Sequence, residues 1–297
     1  MFSRLGGHRV VRVAVVVTLV LALGVVVRVA MTSGPAPYKG PPATAAVRGK
    51  VVYTAARHQA NHVTVTETSD RGGSVVRYLI DDVVPIRPSG PGCVSPDAED
   101  RTKVACTIVI EEMATDPYPT LLLNLGDAND SAVVHNNIPG DAYGYLGYNV
   151  VHLGAGKDTW TGTAREAQAV YGDNGDDTIT VRTGEYVEGG KGDDTIHAVG
   201  EGAGGRGGPG DDVLRGSAGD QSLSGDQGDD TLYGGPGDDQ LYGGVGADVL
   251  YGNSGADTLY GDNRDGGRFD GGKDRLYGGP GTDKLDGGPA DDFVQQD

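Results

Sequence analysis

A nine-residue period constrains this chain more than any other feature. From Gly234 to Tyr260 it reads GGPGDDQLY, GGVGADVLY, GNSGADTLY without a spacer, with Gly at positions 1 and 4, Asp at 6, Leu at 8 and Tyr at 9. With the frame set at Gly189, eight such units follow one another to Tyr260. A 17-residue stretch, Gly261 to Tyr277, is one residue short of two units, and GGPGTDKLD and GGPADDFVQ then complete the array. Upstream, GDNGDDTIT at Gly172 fits the pattern and LGAGKDTWT at Leu153 fits it loosely. Two units have decayed: AVGEGAGGR places Ala203 at the Asp position and GSAGDQSLS places Gln221 there. A fixed period of this length marks a solenoid, whose units bury their apolar side only against one another.

Each position has a physical reason. Glycines at 1, 2 and 4 allow positive φ and close backbone approach, so six residues can turn. The last three carry Leu, Ile, Val and Tyr, too few for a helical turn, and read as a short strand. Alternation sends position 8 inward and position 9 outward. Position 8 is Ile179, Ile196, Leu214, Leu223, Leu232, Leu241, Leu250, Leu259, Leu276, Leu285 and Val294. Stacked, these make a narrow core, each side chain contributing about 1.5–3 kcal/mol when fully buried. At position 9, Tyr233, Tyr242, Tyr251, Tyr260 and Tyr277 are expected to form an outward row.

The turns concentrate negative charge. From Gly207 to Asp297 there are 19 Asp and 6 Lys plus Arg, a net −13 of the chain's −18. Such an acidic face excludes nucleic acid as partner, because phosphate binding needs a basic footprint. One carboxylate per turn at the ~5 Å spacing of neighbouring strands repels itself unless a cation intervenes. Asp carboxylates with turn carbonyls are the oxygen set that Ca²⁺ prefers, whereas Mg²⁺ demands octahedral geometry and keeps its waters. Transition metals would want His or Cys, which the array mostly lacks.

With these residues in hand, GGxGxD followed by x-apolar-x resembles the RTX (haemolysin-type) calcium-binding nonapeptide. The resemblance implies a parallel β-roll in which two nonapeptides make one coil and calcium sits between turns on the same side. Carried over position by position, the implied metal ligands are Asp158, Asp177, Asp194, Asp212, Asp230, Asp239, Asp248, Asp257, Asp274, Asp283 and Asp292. Counting every second unit places Asp194, Asp212, Asp230 and Asp248 on one edge. The opposite edge is expected to run Ala203, Gln221, Asp239, Asp257 and then Asp274, interrupted between roughly 198 and 224. The insert Asp262–Asp270 is expected to cost about one site.

The rest of the chain carries the roll's context. Residues 1–30 read as a signal peptide or an uncleaved N-terminal anchor: Arg4, His8, Arg9 and Arg12 precede the apolar run Val13 to Val27, which Arg28 ends. Fifteen apolar residues are short for a membrane span, for which about 20 are needed. Residues 31–49 have Pro/Ala/Gly linker composition. Cys93 and Cys106, thirteen apart, suit one disulfide in a secreted chain, closing a loop for about 3 kcal/mol; a redox or metal pair would want CxxC spacing. Residues 50–150 contain four strand-like runs, HVTVTET (62–68), SVVRYLI (74–80), VACTIVI (104–110) and LLLNL (121–125). LGDANDSAVV looks like a worn repeat, with Asp130 at the ligand phase. This region is either a β cap with early coils of the solenoid or a separate small β-domain, ahead of a β-roll over 151–297.

No chemistry competes with the array. His58-Gln-Ala-Asn-His62 has the outline of HExxH, but Gln59 cannot be a general base and a strand follows, so the two His would not share a helix face. Gly202–Gly207 matches GxGxxG without a strand–helix context, and GxSxG is absent. The reading is an all-β, exported, non-enzymatic protein that folds on binding several Ca²⁺ ions. Alternatives are a calcium-dependent adhesion or spacer module with glycan partners, and an enzyme within 37–150. Membrane contact is expected only through an uncleaved N-terminus.

Overall fold

The computed structural model describes residues 13–20, 26–33, 40–70, 74–110, 119–138, 148–162, 168–183, 185–262 and 272–296. The chain divides into two units, Met1–Pro41 and Pro42–Asp297. In the first, strands Val13–Val20 and Val26–Ser33 pair antiparallel. These strands take in most of the apolar run read as an export segment. No helix among the described residues is long and apolar enough to cross a membrane.

The second unit is a β-roll. Successive strands of the repeat go to opposite sheets, so each pairs in parallel with the strand two further along the chain. Ser222–Gln227 pairs with Gln240–Val245 in one sheet, while Thr231–Pro236, between them in sequence, pairs with Val249–Ser254 in the other. Among the described residues the unit forms a sheet of 12 strands and a sheet of 13, most of them built by this repetition. Short strands with a two-residue period can do this because each tight turn redirects the chain after one inward side chain.

Register stacks like on like. Leu223, Leu241, Leu259 and Leu285 align in one sheet. Ile179, Ile196, Leu214, Leu232, Leu250, Leu276 and Val294 align in the other. From Ile179 to Leu276 these position-8 side chains are fully buried, Leu285 is partly buried, and Val294 is 48% exposed. On the outside, Tyr251 stacks between Tyr233 and Tyr277 at 4.9 Å to each, and Tyr242 stacks on Tyr260 at 5.4 Å.

The parallel stack runs on through the N-terminal region. Pro119–Asn124 pairs with Val51–Thr54, and Ser131–Asn136 with His62–Ser69, both in parallel. Here the strands bury two large apolar side chains each, as with Val51 and Tyr53, Leu121 and Leu123, and Val151 and Leu153. Antiparallel strands then close this end: Val75–Asp81 lies between His62–Ser69 and Lys103–Val109, and Ala43–Val47 pairs with Val51–Thr54. Cys93 lies opposite Cys106 in paired strands, and the two form a disulfide. Pro88 sits in the edge strand Ile86–Pro88, where a missing N–H costs no ladder bond.

Leu241 is fully buried with a stacked leucine on each side, so Leu241→Ala should cost about 2–5 kcal/mol, with less for Leu285→Ala at the partly buried last coil. Urea unfolding in calcium-containing buffer measures both, and equal losses would contradict the packing described.

Candidate metal centre along the coil turns

The turns joining the two sheets line the two edges of the roll, and the position-6 aspartates form a ladder along each. On the first edge the backbone N–H of each Asp donates to Oδ1 of the Asp one coil later. The chain of bonds runs Asp130 to Asp158 (2.6 Å), Asp158 to Asp177 (2.8 Å) and Asp177 to Asp194 (2.8 Å). It continues from Asp194 through Asp212 and Asp230 to Asp248. The last two rungs are Asp248 to Asp274 and Asp274 to Asp292. On the second edge the same bond joins Asp239 to Asp257 and Asp257 to Asp283.

All eleven expected aspartates therefore stand in ladders, eight on the first edge and three on the second. The edge assignment needs one correction. Asp274 follows Asp248 on the first edge and does not follow Asp257 on the second. Residues 263–271, which hold most of the insert, lie outside the described residues, but the rungs on either side are joined at 2.9 Å and 3.0 Å. Both ladders thus keep a carboxylate rung on either side of the insert. The separation simply grows from 18 to 26 residues. The second edge is interrupted at its N-terminal end, where Ala203 and Gln221 hold the buried position.

The other carboxylate oxygen defines the chemistry. Oδ2 of Asp130, Asp158, Asp177, Asp194, Asp212, Asp230, Asp239, Asp248, Asp257 and Asp274 is buried and meets no hydrogen-bond donor. From Asp177 onward it faces the glycine at position 1 of its own turn. A methyl at Gly207 would lie 2.0 Å from Asp212 Oδ2, and one at Gly189 would lie 2.4 Å from Asp194 Oδ2 and 2.7 Å from the Gly207 carbonyl oxygen. Position 1 is therefore glycine for room, whereas position 2 is glycine for its backbone, with φ of +115° at Gly208. Asp173, Asp226 and Asn253 take position 2 elsewhere with positive φ, as short polar side chains tolerate.

A carboxylate oxygen and a carbonyl from the next coil thus converge without a proton between them. Burial pushes Asp212 and Asp248 up to about 8 and Asp177 and Asp230 up to about 7, with neighbouring aspartates adding to the rise and the accepted backbone N–H opposing it. Among the described residues no three His, Cys, Asp or Glu side chains meet at one point. The oxygens facing each gap come from one carboxylate per coil and from the backbone, a hard, all-oxygen set that fits Ca²⁺ and suits no softer metal.

Sequence reasoning missed a second carboxylate row. The position-5 Asp accepts, at Oδ1, the N–H of position 5 in the following coil: Asp211 N–H to Asp193, Asp229 to Asp211, Ala247 to Asp229, and on the other edge Asp238 to Asp220. These bonds run opposite in sense to those of position 6, so each of these pairs of turns is clamped in both directions. The doubled Asp of GDD was the available signal. His58 and His62 do not converge: His58 is exposed beside Asp127, and His62 Nδ1 lies 2.6 Å from Ser131 Oγ. Trp160, at position 8, is fully buried in the core.

This geometry is the setting for the comparison with known families. The profile of the RTX calcium-binding nonapeptide repeat, in four copies, matches residues 183–198, 206–241, 233–263 and 270–294. The chain carries RTX calcium-binding nonapeptide repeats in its C-terminal half, stacked as a β-roll. The matched stretches are all repeats, and no catalytic domain is among them. No curated protein matches the chain. Asp130, Asp158 and Asp177 lie outside the matched stretches yet share the same ladder.

The ten ladder carboxylates whose Oδ2 meets no donor titrate above the usual 3.8, chiefly because burial disfavours their charged form, so the folded chain binds protons more readily than the unfolded one. Without metal, their contribution is most favourable below about pH 4 and is lost as pH rises through 6 to 8. The calcium-free protein should hold more β-structure at pH 5 than at pH 8 by circular dichroism; a gain towards pH 8 would contradict the burial of uncompensated charge.

Proposed function

We propose that this chain is an exported, non-enzymatic calcium-binding protein whose roll closes when cations take up the charge of its buried turns. The supporting observation is the set of ten inward carboxylate oxygens that meet no donor. Asp158, Asp177, Asp194, Asp212, Asp230, Asp248, Asp274 and Asp292 would hold calcium along the first edge, and Asp239, Asp257 and Asp283 along the second, each with backbone carbonyls of the glycine turns. A bound cation supplies the positive charge that lets desolvated carboxylates stack. Binding to the folded state alone then adds stability by mass action. Affinities of extracellular type, about 10⁻⁴–10⁻³ M, would leave the roll unclosed at low internal calcium and closed outside the cell.

The Cys93–Cys106 disulfide fits an oxidising, extracytoplasmic compartment. An export or anchor segment within residues 1–30 belongs to the same reading. The tyrosine row does not favour glycan stacking. Arg215 and Tyr251 cover the two faces of Tyr233, and Tyr251 and Phe293 flank Tyr277.

Calcium titration of the full chain, followed by circular dichroism with Mg²⁺ as control, should show β-structure growing with Ca²⁺ and far less with Mg²⁺. Asp212→Asn keeps an oxygen for the Asp194 N–H and removes one buried charge. It should bind less calcium in equilibrium dialysis while raising the β-content of the metal-free chain. A variant that binds as much calcium as the parent removes Asp212 from the ligand set.

A further inference from the structure

Both ladders begin with a carboxamide where the rest carry carboxylates. On the first edge, Asn61 precedes Asp130, donating its backbone N–H to Asp130 Oδ1 at 2.6 Å as any rung does. On the second, Gln221 precedes Asp239 and donates its N–H to Asp239 Oδ1 at 2.7 Å. Both residues are buried, Asn61 completely.

Their side chains do what no carboxylate can. Asn61 Nδ2 lies 3.3 Å from the Leu125 carbonyl of the next coil, 3.1 Å from Asp130 Oδ1 and 2.8 Å from the Gln59 carbonyl. It brings N–H groups to a carbonyl and a carboxylate of the following coil. Gln221 Nε2 donates to the Gly200 carbonyl of the preceding coil at 3.2 Å, and Gln221 Oε1 accepts the Ser217 N–H at 3.1 Å. A methyl at Gly216 would lie 2.5 Å from that Oε1 and 2.0 Å from the Gly234 carbonyl. Gln221 Oε1 thus occupies the place of the Asp Oδ2 at other turns, but it is neutral and has a donor. The donor at Ser217 and the acceptor at Gly200 together fix which end of the amide is which.

We propose that Asn61 and Gln221 are cation-independent starter rungs: each ties an inter-coil gap at the start of its ladder with amide N–H···O bonds, Asn61 the gap that follows it and Gln221 the gap that precedes it, so calcium dependence begins only after them. The inference rests on the calcium-binding reading above and concerns where that dependence starts. It divides the roll into coils held by apolar packing, the disulfide and two amides, and coils that wait for the ion. The Asn61 end has further support. The Tyr53 hydroxyl donates to Asp82 Oδ2 at 2.5 Å, and Asp82 Oδ1 accepts the His62 N–H at 2.9 Å. A side chain therefore takes, at His62, the N–H that a backbone carbonyl of the preceding coil takes at Ser131.

Replacing either amide with an acid removes the donor and adds a buried charge against a carbonyl. Asn61→Asp and Gln221→Glu should move the calcium midpoint of folding several-fold upward, whereas Gln240→Glu, on an exposed strand position, should not. Trp160, the chain's one tryptophan, is buried in an early coil and reports it separately. In chelator, its emission should be that of a buried indole in the parent, red-shifted in Asn61→Asp, and restored by calcium. If Asn61→Asp does not fold at all, Gln221→Glu read by its calcium midpoint decides the matter. Titrations of both variants superposing on a parent that does respond to calcium would overturn the starter rungs alone. A parent indifferent to calcium would overturn both this inference and the reading beneath it.

Discussion

The structure depends on one unfavourable arrangement: like charges taken out of water and stacked one per coil. At strand spacing of about 4.8 Å, two carboxylates cannot both stay ionised in a buried turn without a positive charge nearby. The glycine at position 1 makes the arrangement possible by leaving room beside Oδ2, as the collision of a methyl at Gly207 with Asp212 shows. The reciprocal N–H bonds of positions 5 and 6 hold the turns in register while leaving the second oxygen of the inner carboxylate unanswered. A turn built this way presents an unanswered oxygen to a cation, and the match to a calcium-binding repeat agrees with the oxygen set it presents.

The two ends of the roll solve the stability problem differently. The N-terminal coils bury pairs such as Leu121 and Leu123, with Tyr53 and Trp160 beside them, and are closed by antiparallel strands and a disulfide. The C-terminal coils bury little beyond one leucine per strand. A thin core cannot offset the desolvation of an aspartate at every turn, so order there has to come from elsewhere. Ladder charge grows as apolar packing shrinks, and on the proposed reading calcium dependence varies with position along the roll.

Much of the site was legible because the repeat is strict. Phase alone located all eleven ladder aspartates, the leucine stack and the tyrosine row. Phase also misled at one place: it assigned Asp274 to the second edge because the stretch from Gly261 to Tyr277 was counted as almost two units, whereas Asp274 follows Asp248, 26 residues earlier, on the first. The position-5 row went unread, since a second Asp beside the first looks like added charge until its N–H partner one coil away is seen. Asn61 was invisible as a rung, lying in HQANH, 69 residues from its partner Asp130, with the antiparallel strands between them in sequence.

By itself the sequence determined the properties that its period dictates: a stacked solenoid, its inward leucines, its acidic turns and the kind of ion that suits them. These are nearest-neighbour properties, repeated until no other fold can bury the same side. Only the tertiary structure decided which turns share an edge, which carboxylate oxygens are satisfied and which are not, and where each ladder begins. Those depend on contacts between coils 17 to 69 residues apart. An insertion changes such a separation without leaving any local trace in the residues it brings together.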